Sequence, residues 1–172
     1  MKNKLWLSIV MAFAFILVVG CSSSSEESSN EESSNESASE GEVKVDMLDL
    51  YLSMANTINA NDTALNTYEL AEEPDTLTDE DKAAASESAK ATADALGEVK
   101  VPEGLSDYKN NLNVAIEAIQ TSYSKKAEIL AGDSSETMDD ANASFSLGAE
   151  MMNDIIEELG LSAVDLNTEV NS

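Results

Sequence analysis

At 172 residues, with 34 acidic side chains against nine basic ones, the chain carries a formal charge of −25. That sign repels nucleic acid and anionic headgroups and leaves basic proteins and cations as matching partners. It has no histidine and one cysteine, and its basic residues are all lysine, which removes Ser-His and Cys-His pairs, an arginine clamp for phosphate and a nitrogen or sulfur zinc site. No disulfide can form within the chain, so packing must stabilise whatever folds. The chain therefore reads as a non-enzyme with no cofactor and no metal ligand set.

Lys2 and Lys4 precede a run at 5–19 that is apolar but for Ser8, a charged head and apolar middle of the kind found in secretory signal peptides. The run is too short to span a bilayer comfortably. It ends in Leu17-Val18-Val19-Gly20-Cys21, which resembles the lipobox of bacterial lipoproteins, and the only cysteine in the chain stands where the lipidated one must stand. The resemblance implies cleavage between Gly20 and Cys21, a diacylglyceryl thioether on Cys21, and a lipid anchor on the extracytoplasmic face of the cell membrane. Losing residues 1–20 with their two lysines would leave 152 residues (172 − 20) at a formal charge of −27 (−25 − 2), enough for one ordinary domain and a tail.

Residues 22–41 hold ten serines and six glutamates, including Glu26-Glu27-Ser28-Ser29-Asn30 repeated as Glu31-Glu32-Ser33-Ser34-Asn35. Such composition cannot build a core, so residues 21–41 are expected to be a disordered leash. From Val43 onward, apolar residues recur at three- and four-residue spacing. A first helical segment is expected over 43–68 with Val45, Leu48, Leu52, Ala55, Ile58 and Leu65 inward, its second half weakened by Asn and Thr, and with Asn59 and Asp62 close to the apolar stripe.

After Pro74, Thr78 is an N-cap followed by acids in the first turn. It opens a second helix to Leu96 with the thin inward face Ala84, Ser88, Ala91 and Ala95. A third helix is expected over 104–131, with a long stripe from Leu105 through Leu112, Ile116, Ile119 and Tyr123 to Leu130. Gly132 would close it in a left-handed conformation, and Asp133-Ser134-Ser135-Glu136 has the form of a capping box. A fourth runs from Met138 through Ala141, Phe145, Gly148, Met152 and Ile155 to Leu159, with Gly148 expected to let the alanine face of the second helix approach and Gly160-Leu161 forming a Schellman end. Residues 162–172 are expected to be a flexible tail.

These segments predict an all-α protein, an antiparallel up-down-up-down four-helix bundle over 42–161 following the signal peptide and the linker. The Val-Pro-Glu-Gly-Leu and Glu-Leu-Gly-Leu strings, within 99–161, resemble small helical lipoproteins of low-GC Gram-positive bacteria, a likeness that implies no activity. Ser122-Tyr123-Ser124-Lys125 matches the S-x-x-K string of penicillin-binding enzymes, but the chain is too short for that fold and lacks its K-T-G element. Met47, Met54, Met138, Met151 and Met152 could line an adaptable groove but are read as core filling, Met138 and Met152 standing on core positions.

In an up-down-up-down bundle, the connection after the first segment and the one after the third share an end. That end gathers Glu72, Glu73, Asp75, Asp79, Glu80 and Asp81 with Asp133, Glu136, Asp139 and Asp140, countered by Lys82, Lys125 and Lys126. This acidic pole, remote from the membrane, is the candidate binding surface. The leading expectation is a monomeric, anchored module that contacts another extracytoplasmic protein. The alternative is a small-ligand or divalent-cation-binding lipoprotein that uses the carboxylates.

Overall fold

Helix formers and three-four apolar spacing dominate from residue 43 to 161, and the described residues form an all-α fold. The computed structural model describes residues 32–170, among which there is no strand. Six helices follow one another: α1 (Glu32–Asn61), α2 (Thr63–Glu69), α3 (Asp79–Leu96), α4 (Lys109–Ala131), α5 (Met138–Glu158) and α6 (Leu166–Val170). Single 3-10 turns lie at Pro74–Thr76 and Glu103–Leu105. The signal segment 1–20, with Gly20, and Cys21 with linker residues 22–31 lie outside the described residues. Glu32–Ser172 forms one unit.

Main packing runs α4 on α5 and α3 on α4, with α2 and α1 on α3 and with α6 touching both α1 and α5. Ser86 Oγ donates to the Ala127 carbonyl (2.8 Å) and Gln120 Nε2 to the Ala93 carbonyl (3.1 Å), joining α3 to α4. Between α4 and α5, the Tyr123 and Phe145 rings meet edge to face at 6.2 Å. Gly148 lets the two helices pack closely, since a Cβ there would stand 2.5 Å from the Ala115 carbonyl oxygen and 2.7 Å from Ile119 Cγ1. The glycine therefore serves α4, not the alanine face of α3 as expected.

The stripes of α4 and α5 are buried at Leu112, Ile116, Ile119, Tyr123, Leu130, Ala141, Phe145, Met152 and Ile155. On α1 Ala55 and Ile58 are buried as expected but the first half of the stripe is rotated, and on α3 the face is rotated apart from Ser88. On α1 the inward side chains are Met47, Leu50, Tyr51, Met54, Ala55 and Ile58, while Val45, Leu48 and Leu52 face solvent. This helix is apolar on two faces, and the core takes the bulkier set. On α3, Ala85, Ala89 and Ala93 are buried beside Ser88, and Ala84 and Ala91 are exposed, because alanine gives a stripe little size contrast to fix its phase.

Four boundaries also differ, the first being that α4 begins at Lys109, after the 3-10 turn at Glu103–Leu105, where a helix from 104 was expected. Residues 32–41 of the expected leash form the start of α1, although four serines, Asn35 and Gly41 give that stretch low helix propensity; once the buried turns nucleate a helix, each further residue adds one hydrogen bond. The cap of α5 is Thr137 paired reciprocally with Asp140, not Asp133 with Glu136, a Thr–Asp box identical in form to Thr78 with Asp81 at α3. The expected flexible tail instead carries α6, with Leu166 and Val170 buried. Asn66 Nδ2 donates to the Val170 carbonyl (2.8 Å), and Asn153 Oδ1 accepts from the Val164 N–H (3.3 Å). Gly132 (φ 82°) and Gly160 (φ 69°) are left-handed, and the bonds Asp133 N–H to Glu128 carbonyl and Leu161 N–H to Ile156 carbonyl close both helix ends as expected.

Candidate functional site

The run of Asn and Thr late in the first segment breaks the helix between Asn61 and Thr63. In an unbroken helix the Leu65 N–H would reach the Asn61 carbonyl. Here the Ser88 hydroxyl of α3 stands between them, accepting from Leu65 N–H (3.3 Å) and donating to the Asn61 carbonyl (2.7 Å). A side chain inserted into the ladder is a recognised cause of a kink, and this one sets the direction of α2. Asp62 sits at the break, 1% exposed, where it accepts from the Tyr123 hydroxyl (3.4 Å). Burial pushes its carboxyl above the usual range, opposed by hydrogen bonds from Tyr123 and Asn66. Burial, and then the charge of Asp62, pushes the Tyr123 phenol far up, so Tyr123 remains a donor.

Beyond the break, α2 carries Glu69 to Lys126 on α4. Their ion pair is 2.8 Å long, with side chains only 20% and 10% exposed, and Lys126 Nζ also lies 5.8 Å from the centroid of the Tyr123 ring. A pair this sheltered repays its desolvation only when well hydrogen-bonded, and losing one partner would cost about 3–5 kcal/mol. Glu69, Tyr123 and Lys126 form one side of a cleft of about 640 Å³. The second side is α5, with Glu150, Asp154 and Glu157 on successive turns, and the third is Asp165 with Asn167 at the start of α6. A volume of this size lies within the range of small-molecule sites. Five carboxylates face one ammonium there, and that ammonium is already paired.

A second feature is the outward row on α1. Val45, Leu48 and Leu52 are 55%, 40% and 52% exposed. At i, i+3 and i+7 they share one face, flanked by exposed Glu42 and Asp49. No described helix is long and apolar enough to cross a membrane.

The ten acids of the expected pole are divided among separate local roles. Asp81 and Asp140 accept from the backbone and hydroxyl of Thr78 and Thr137, which holds both carboxyls below the usual range. Glu136 pairs with Lys125 at 2.9 Å. Glu72, Glu73, Asp75, Asp79, Glu80, Asp133 and Asp139 are exposed. Among the described residues no group of three or more such side chains is placed to hold a metal ion. The cleft was not legible as a site in the sequence; Asp62, polar beside the first stripe, marked the adjoining helix break, where it accepts from Tyr123. Its carboxylates on α5 are spaced as surface residues, and α6 was not expected to form.

Comparison with protein-family profiles, with curated proteins and with solved structures finds no match.

Proposed function

We propose that the chain is a membrane-anchored surface lipoprotein that works without catalysis, as a protein-interaction module on the extracytoplasmic face. Its attachment would be a diacylglyceryl group on Cys21, two acyl chains being enough for durable anchoring where one is marginal. The domain is read as an antiparallel up-down-up-down four-helix bundle in which α1 and α2 together make the first rod. The α3–α4 and α4–α5 contacts support that arrangement. Residue numbers fall along α4 as they rise along α3, from Ser86 with Ala127 to the pairing of Ala93 with Gln120. They fall along α5 as they rise along α4, from Ile119 with Gly148 to Tyr123 with Phe145.

The observation that carries the interaction reading is the row Val45, Leu48 and Leu52. Three large apolar side chains on one helix face, about half exposed, are a docking feature when grouped. Glu42 and Asp49 beside them, on a chain this acidic, fit a protein partner whose apolar contact residues are bordered by lysine or arginine. The distal-pole reading, a divalent-cation or small-ligand site, has less support, because its acids are occupied by caps and an ion pair or are spread in solvent.

Two measurements test the proposal. Fatty-acid labelling of the full-length chain should be lost in Cys21→Ala together with membrane fractionation, and retention of both would refute the anchor. Leu48→Lys should leave the melting temperature within about 2 °C of the parent, since the site is exposed, and should remove association with the partner. Unchanged association would refute the docking face.

A further inference from the structure

At five residues, α6 is too short to persist in water by itself, so its place is set by what holds it. Leu166 and Val170 are buried where α6 meets α1 and α5, and the segment is tied at both ends. Asn153 Oδ1 on α5 accepts from the Val164 N–H (3.3 Å), and Asn66 Nδ2 on α2 donates to the Val170 carbonyl (2.8 Å). Asn66 makes a second bond, to the Asp62 carboxylate, which also accepts from the Tyr123 hydroxyl. One amide therefore joins the end of α6 to the carboxylate at the break between α1 and α2. Val170 and Asp62 line the same surface hollow, with Asn59 and Asn66, and with α6 in place Asp62 is buried. Lifting Val170 away opens that hollow to water.

From this linkage we infer that α6 is a proton-controlled strap, which closes over the break between α1 and α2 while Asp62 holds a proton and releases when Asp62 is ionised. Burial pushes the Asp62 carboxyl above its usual range, against the hydrogen bonds from Tyr123 and Asn66 and the charge of Lys126, so closing takes up a proton. The closed form is favoured below the ordinary aspartate value of about 3.9 and loses ground as pH rises through the raised one. The titratable and charged groups acting on Asp62 are Tyr123 and Lys126 of α4, with Lys126 held by Glu69 of α2. The Tyr123 phenol, pushed far up by burial, keeps its proton. Ser88 of α3, inserted at the break, Asn59 of α1 and Val170 of α6 are uncharged. The acids of the strap itself act elsewhere: Glu169 and Asp165 lie beside Tyr51 of α1, and Asp165 shares a cleft with Glu150, Asp154 and Glu157 of α5. Those acids would also answer to pH, and replacing Asp62 separates the two effects.

Amide hydrogen exchange of the full-length chain at pH 4.5 and pH 7.5, each rate divided by that of an unstructured chain at the same pH, tests this. Protection at 166–170 should lie below that of α4 at both pH values, the mark of a local opening. It should fall about fivefold or more between pH 4.5 and pH 7.5, within the limit of about tenfold per pH unit for one proton. Asp62→Asn, nearly the same shape and still an acceptor for Tyr123, should remove the fall and keep 166–170 protected at pH 7.5. Asn66→Ala, which cuts the tie between strap and break, should lower protection at 166–170 at both pH values while α4 stays protected. Protection of 166–170 equal to that of α4 would mean that α6 leaves only when the domain unfolds, and would overturn the inference. So would a fall retained in Asp62→Asn, which would assign the response to Asp165 and the α5 acids, or unchanged protection in Asn66→Ala.

Discussion

Removing one oxygen atom, in Ser88→Ala, should expose how the kink between α1 and α2 is held. The hydroxyl serves a donor and an acceptor at once, the Leu65 N–H and the Asn61 carbonyl, and Leu65 is fully buried, so water has no easy route to replace it. An unsatisfied buried backbone group costs about 1–3 kcal/mol, while loss of the oxygen leaves too small a void to add much. A destabilisation of about 2 kcal/mol is expected, a sizeable share of an ordinary domain's 5–15 kcal/mol. It corresponds to roughly 8 °C in melting temperature for a domain of this size.

Urea unfolding of the full-length chain followed by far-ultraviolet circular dichroism measures it, with Ser86→Ala as the comparator. Ser86 only donates, to an Ala127 carbonyl inside α4, so its loss should cost about 0.5–1 kcal/mol. If Ser88→Ala unfolds within about 0.5 kcal/mol of the parent, or no earlier than Ser86→Ala, the hydroxyl does not bridge the broken ladder and the placement of α2 has another cause.

Gly148→Ala should destabilise by about 1–2 kcal/mol in the same assay, overpacking against the Ala115 carbonyl outweighing the gain of about 1 kcal/mol in helix propensity. Gly41→Ala, with no atom within 4 Å of the added carbon, should do no harm. Asp62 holds its proton more tightly in the folded chain than in the unfolded one, so its effect on stability is absent at low pH and becomes a penalty as pH rises above about 3.9 toward the folded value. Asp62→Asn should therefore be more stable than the parent at pH 7, and the advantage should vanish near pH 3.5. Asp81, Asp140 and Asp165, whose carboxyls are held low, lose stability as pH falls, but equally in both proteins. An advantage independent of pH would refute the assignment. Ser122 Oγ is buried with no hydrogen-bond partner, so Ser122→Ala should raise stability by about 1 kcal/mol, and a loss of that size would reveal a missed partner.

Helix content and the inward faces of α4 and α5 were legible because Leu, Ile, Phe and Tyr contrast sharply with the Asn, Lys and Glu between them. The glycine ends at Gly132 and Gly160 were legible because the left-handed conformation favours glycine. Phase failed on α1, where Val45, Leu48 and Leu52 compete with Met47, Leu50 and Met54, and on α3, where alanine gives no contrast. Sequence spacing cannot show that a hydroxyl from α3 enters the ladder of another helix, nor that Leu166 and Val170 find a groove against α1 and α5. The cleft depends on both events, so its walls could not be assembled from local pattern. The acidic pole is conspicuous in sequence as a dense run of acids, but spacing alone does not show that two of them, Asp81 and Asp140, are engaged in helix caps.

The most direct test of the interaction claim is site-specific photocrosslinking in intact cells, with the reactive residue placed at Leu48 of the full-length chain and, for comparison, at Lys90 on α3, whose side chain is 69% exposed. The account predicts one discrete adduct with a second protein from Leu48, lost in a chain that also carries Glu42→Lys and Asp49→Lys, and none from Lys90. Equal adducts from both positions, or none from Leu48, would contradict it.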